Sequence, residues 1–236
     1  MNNPSDNIRT KRKDLTPYLF HYVKGEKPVE ALRKILDEHT LKSNNAYICF
    51  TETPLTSSKV LFDYMGQYKK PFLQPYGIGI SRDLLFQKGA RNIIYSTQDE
   101  INCMPKEIQW RCLELDVLNY DFTWFREWRL PFSSFDFLNF KEDLIVIAPT
   151  RDEVDDLVIN RKIEPDWDCE PGEEPIINAL VETKKREWKS ISFEDLNIKE
   201  IDNDFVVSGT TQLQAINSKE ERIHYASDII AGIDTL

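Results

Sequence analysis

The chain has 236 residues, 41% of them hydrophobic and 30% charged, and a net charge of −10. This excludes a disordered polymer and argues against a general electrostatic grip on nucleic acid. Its 8 glycines form neither a GxGxxG nor a P-loop pattern, its 4 cysteines form no CxxC pair and with 3 histidines give no zinc spacing, and no apolar run reaches membrane-spanning length.

Residues 1–16 read as a polar leader, with Arg9, Lys11, Arg12 and Lys13 close together and no apolar signal segment after Met1. A cytoplasmic protein with reduced thiols is expected. "YLFHYV" (Tyr18 to Val23) predicts a strand. "KPVEALRKILDEHTLKS" predicts a helix, with Pro28 in the first turn and Val29, Leu32, Ile35 and Leu36 on one face. "AYICFTE" predicts a second strand that ends before Pro54. "LTSSKVLFDYMGQY" predicts a helix capped by Thr56 or Ser57. "YGIGIS" is a strand, Arg82 to Gln87 a short helix stopped at Gly89, and "ARNIIYS" another strand. "QDEINCMPKEIQWRCLELDVLNY" is expected to be largely helical, "TWFREWRLP" extended, and "EDLIVIAPT" a buried strand. After Thr150, "RDEVDDLVINRKI" predicts a helix, "EPDWDCEPGEEP" a loop, "IINALVET" a strand and "HYASDIIAGI" a closing helix. Ten acids and two bases fall between Asp152 and Glu174, a solvated run. The pattern is α+β, with residues 17–150 as the core and 151–236 as an acidic C-terminal extension packed on it.

Three stretches combine polar side chains with strand formers: "FHY" around His21, "CFTETP" around Thr51, and "FREWR" around Glu127. A polar residue in a half-buried strand needs a partner or a ligand. The bland readings are a hydrogen-bonded core histidine, a turn at Thr51 and Glu52, and a surface ion pair at Glu127. The letters REW recur at Arg186 to Trp188. Aromatic residues surround Glu127 and basic ones surround Glu187, so the first copy is the chemical one and the second the solvated one.

In order, "LFHYV", "AYICFTETPL", "YGIGISRDLLFQKGARNIIY" and "TWFREWRLP" resemble AbiGi-type abortive-infection proteins. More distantly they resemble the DarT-like branch of the ADP-ribosyltransferase fold. The resemblance covers roughly residues 19–150. It implies a split β-sheet core with flanking helices and NAD as substrate in the cleft. It further implies a cytoplasmic toxin or antiviral defence effector that transfers ADP-ribose to a nucleic-acid or protein acceptor, with an antitoxin or a phage protein as a further partner. Carried over by residue, His21 contacts a ribose or the nicotinamide amide, and Glu127 holds the nicotinamide ribose. Thr51 supplies a strand hydroxyl. Tyr22, Tyr64 or Tyr76 stacks on nicotinamide, although alternation turns Tyr22 away from His21. Arg82 takes the pyrophosphate. Phe125 stands where many protein-modifying members have a second acidic or amide residue, which disfavours modification of protein arginine. The chemistry fits a carboxylate, because cleavage of the nicotinamide bond builds positive charge on the ribose. Arg126 and Arg129 favour the ionised form of Glu127. No metal is required.

A rival lies downstream. Pro165-Asp166 and Glu182-Thr183-Lys184 match the letters of a PD-(D/E)xK nuclease, in which Asp166 and Glu182 would hold Mg²⁺ and Lys184 would orient water. A non-catalytic phage-sensing or binding protein is the third reading.

Overall fold

The apolar runs near residues 20, 50, 80, 130 and 145 pair with one another and build one sheet. In the computed structural model, which describes residues 12, 14–66, 73–118, 121–168, 176–196, 198–201, 204–207 and 220–226, the elements follow in chain order. They are β1 (Tyr18–Tyr22), α1 (Pro28–Glu38), β2 (Thr40–Lys42), β3 (Ile48–Thr51), α2 (Leu55–Met65), β4 (Gly77–Ser81), α3 (Arg82–Gln87), β5 (Arg91–Asn92), β6 (Ile94–Ser96), α4 (Gln98–Cys103) and α5 (Lys106–Gln109). There follow β7 (Cys112–Glu114), β8 (Glu127–Leu130), β9 (Ser134–Asp136), β10 (Leu144–Ala148), α6 (Arg151–Val158), β11 (Ile159–Asp168), β12 (Ile176–Arg186), β13 (Ser190–Ser192), β14 (Ile198–Ile201), β15 (Asp204–Val207) and β16 (Glu220–Ala226). The architecture is α+β.

The main sheet has seven strands in the order β13-β10-β4-β1-β3-β8-β5. Its ladders are antiparallel except for β10 with β13, which run parallel. Both faces are covered, so the central strands read as continuous apolar runs rather than alternating ones. One face presents Leu19, Phe50, Ile78, Ile80 and Val146 to α1, α3 and α6, which contribute Leu32, Leu36, Leu85, Val154 and Val158. The other presents Phe20, Tyr22, Ile145 and Ile147 to Leu55 and Phe62 of α2, with Leu73 and Phe193. The stretch after residue 150 supplies α6, the buried Trp188 and edge strand β13 to this body. Strands β11, β12 and β16 form a separate antiparallel sheet.

The joint between β1 and β3 is the thinnest in the main sheet: its ladder consists of one pair, Phe20 with Thr51. By contrast β1 pairs with β4 along its whole length. The sheet is therefore a four-stranded part and a three-stranded part joined by one ladder pair and by the His21 side chain, which bonds the Cys49 carbonyl.

Several local expectations change. The stretch expected to be helical from Gln98 to Tyr120 breaks at Pro105 into two short helices and then β7. Helix α2 starts after Pro54, with no side-chain cap from Thr56 or Ser57. "ARNIIYS" splits into β5 and β6, which belong to different sheets. The residues "EPDWD" continue β11, and "HYA" closes β16; the rest of that expected helix lies outside the described residues. No helix among the described residues is long and apolar enough to cross a membrane.

Candidate functional site around Glu127

The site begins with two threonines. Strand β3 ends at Thr51, and the buried Thr51 hydroxyl donates to the Phe125 carbonyl while accepting from the Thr53 N–H at 3.0 Å. The Thr53 hydroxyl donates to the carbonyls of Trp124 at 2.9 Å and Phe125 at 3.1 Å. These carbonyls belong to a single 3₁₀ turn, Thr123–Phe125, whose end leaves acceptors unsatisfied. The stretch expected to be extended throughout is thus a turn first. Arg126 closes it in the left-handed region, with φ 46°, a conformation that costs a non-glycine residue roughly 1–2 kcal/mol. The Glu52 N–H ties the Arg126 carbonyl at 3.1 Å. The turn, held on both sides, fixes where β8 starts, and β8 starts with Glu127.

Glu127 pairs with Thr51, which pairs with Phe20, so the three share one face. Two residues on, Arg129 returns to that face and donates from Nε to Glu127 Oε1 at 2.7 Å. Arg129 Nη1 donates to the carbonyls of Trp110 (2.6 Å) and Cys112 (3.1 Å), and its guanidinium lies over the Tyr47 ring at 4.3 Å. The side chains of Arg129 and Glu127 are 7% and 15% exposed. A carboxylate has about four lone-pair sites, and Arg129 takes one of them. Around this pair stand Cys49, whose thiol is pushed up to about 12 by burial and then by the Glu127 carboxylate, and Tyr95, whose phenol is also raised, by burial first. Tyr95 donates to the Phe122 carbonyl at 2.9 Å. Phe122 and Trp124 expose their rings on the turn leading into Glu127.

His21 is elsewhere. Phe20 and Glu127 share a face through Thr51, so the next residue along β1 turns to the opposite one. Strand β3 also intervenes, a backbone separation of about 10 Å. The structure does not bring His21 and Glu127 together. His21 Nδ1 lies 2.8 Å from the Cys49 carbonyl, which can only accept, so Nδ1 carries the hydrogen. Burial holds this imidazole below its ordinary range. It is neutral, with Nε2 as an acceptor, and it stands edge-on to Phe50.

Tyr22 does share the Glu127 face. It is 4% exposed, packs edge-on to Phe62 at 4.8 Å, and its hydroxyl has no hydrogen-bond partner. The Ser58 hydroxyl is close but outside bonding geometry. Tyr76 lies in the other core and donates to Glu153 at 2.5 Å. Tyr64 is exposed near the end of α2. Arg82 donates to Glu52 Oε1 at 3.0 Å, while Trp128 Nε1 donates to Glu52 Oε2 at 2.9 Å. This guanidinium is held by a carboxylate with little exposure.

In the second REW copy Glu187 lies in solvent, as its basic neighbours suggest. Trp188 is buried against His39 and Phe137, and Arg186 pairs with Asp155 at 2.7 Å. Of the nuclease letters, Glu182 and Lys184 lie 3.5 Å apart. The ladder, however, pairs Glu182 with Ile163 and Ala179 with Asp166. Asp166 is thus three residues, about 10 Å, along the strand from the position opposite Glu182. Among the described residues no three His, Cys, Asp or Glu are grouped to hold a metal.

Tyr47, Cys49 and Tyr95 escape the sequence reading. A signal existed for the first two: Tyr47, Cys49 and Thr51 occur at every second position, the period of one strand face. Comparison with models of known families, with curated proteins and with solved structures gives no match.

Proposed function

We propose that the chain is an NAD-consuming enzyme of the ADP-ribosyltransferase type, acting as a toxin or phage-defence effector, with Glu127 as its catalytic carboxylate. The observation that carries the reading is the Glu127–Arg129 pair: a carboxylate held by a guanidinium, with the Cys49 thiol against it, at a strand start beside exposed aromatic rings. In the reaction the bond between nicotinamide nitrogen and ribose C1′ breaks, and its electron pair leaves with nicotinamide. Positive charge grows on the ribose, and a prepositioned anion stabilises it without reorganising. An acceptor nucleophile, or water, then bonds C1′ and gives up its proton. Thr51 and Thr53 act here as positioning residues, since their hydroxyls are spent on the turn before Glu127. The single-pair joint between β1 and β3 is in keeping with a split sheet.

The test uses the full chain and NAD labelled in nicotinamide. Release of nicotinamide should fall about 100- to 1,000-fold in Glu127→Gln and stay at the wild-type rate in Glu187→Gln, which alters the solvated copy. Equal rates in wild type and Glu127→Gln would remove the carboxylate from the mechanism.

A further inference from the structure

A dinucleotide brings two phosphate charges, and Arg82, the sequence's choice for them, is occupied by Glu52. The side chain preceding Glu127 is not enclosed in that way. Arg126 reaches solvent, and its Nη1 donates to the Asp14 main-chain carbonyl at 2.5 Å. Its Nη2 lies 3.8 Å from the Asp14 carboxylate. The same carboxylate takes Arg12 through both oxygens, from Nε at 2.8 Å and from Nη2. One anion therefore sits between two guanidinium groups, one residue from the catalytic carboxylate. Arg12 holds the Asp14 carboxyl below its ordinary range, so it is ionised at neutral pH.

Three features make this a ligand's place rather than a structural tie. First, all three side chains are well exposed, and exposed ion pairs hold weakly. Second, Arg126 is one of two non-glycine residues with positive φ among the described residues, and strained backbone of this kind gathers at ligand clamps. Third, Arg12 forks the Asp14 carboxylate through both oxygens, the bidentate geometry that suits phosphate, and Arg126 Nη2 stands 3.8 Å from the same anion.

We propose that Arg126 and Arg12 bind the diphosphate of the substrate, and that Asp14 is an internal stand-in which the substrate displaces. The proposal rests on the NAD reading for the identity of the ligand, but not for the existence of the anion site. Asp14 is then a built-in competitor that raises the substrate concentration needed for turnover.

The experiment is calorimetric titration of the full chain, at low salt, with inorganic pyrophosphate and with ADP-ribose. Asp14→Asn should bind both about fivefold more tightly than wild type. Arg126→Gln should bind both at least about tenfold more weakly. Unchanged binding in both variants overturns the proposal, and so does tighter binding in Arg126→Gln. Circular dichroism checks that each variant is folded. Nicotinamide release is measured in parallel. If pyrophosphate binding responds as expected but no variant releases nicotinamide, the anion site stands and the NAD reading falls. If release depends on Glu127 while neither Asp14→Asn nor Arg126→Gln alters binding, the reverse holds.

Discussion

Single side chains on the Glu127 face keep their protons. Cys49, Tyr22 and Tyr95 are all shifted upward, with burial as the first cause in each. Tyr22 is the costliest, because a buried hydroxyl without a partner loses about 1–3 kcal/mol of hydration. Tyr22→Phe should therefore stabilise the folded protein by about 1 kcal/mol, an increase of roughly 2–4 °C in Tm at this chain length. Differential scanning calorimetry decides it; a lower Tm would mean the hydroxyl is satisfied. At this scale the pairing of Glu127 with Arg129 was legible, because alternation along a strand puts the two on one face. The opposite facing of His21 was not, since it depends on which β1 residue meets Thr51, and register is a property of pairing rather than of either strand alone. Arg82 was misjudged for a related reason: its partner Glu52 comes from another strand end, 30 positions earlier.

Elements were legible where period and punctuation agreed. Strand β1 and helix α3 fall where the apolar pattern puts them, and helix α1 begins there but stops at Glu38, where His39 turns left-handed and Thr40–Lys42 becomes β2 rather than the helix expected to run on to Ser43. The long apolar stripe after Gln98 concealed the break that Pro105 imposes. The two glycines of β4 were legible only as strand residues. A Cβ on Gly79 would lie 2.8 Å from side-chain atoms of Phe20 and Ile145, and one on Gly77 would collide with the His21 main-chain carbonyl. Side chains can turn aside, but a carbonyl locked in a ladder cannot. Gly77→Ala should cost about 3 kcal/mol or more, and more than Gly79→Ala, as read from urea unfolding midpoints; a smaller loss at Gly77 would contradict the register of β1 with β4.

The molecule as a whole should have a pH window set from opposite sides. In the unfolded chain His21 titrates near 6.5, and in the folded state burial lowers it. The unfolded chain then binds a proton that the folded one refuses, so stability is full above 6.5 and is lost as pH falls. Cys49 works in reverse: its ordinary value of 9.0 is pushed up to about 12, so stability is present below 9 and declines as pH rises toward 12. Denaturant unfolding from pH 5 to 11 should show both limbs, with His21→Asn flattening the acid one and Cys49→Ser the alkaline one. Either variant leaving its limb unchanged would show that another group sets it. The thin joint between β1 and β3, one ladder pair beside the His21–Cys49 bond, has a mechanical consequence. A fabric tears along its least-stitched line, and here that line runs between Phe20 and Thr51. Under load, or in slow exchange with deuterated solvent, the molecule should part first along it, with the two pieces swinging about that stitch while each keeps its own weave.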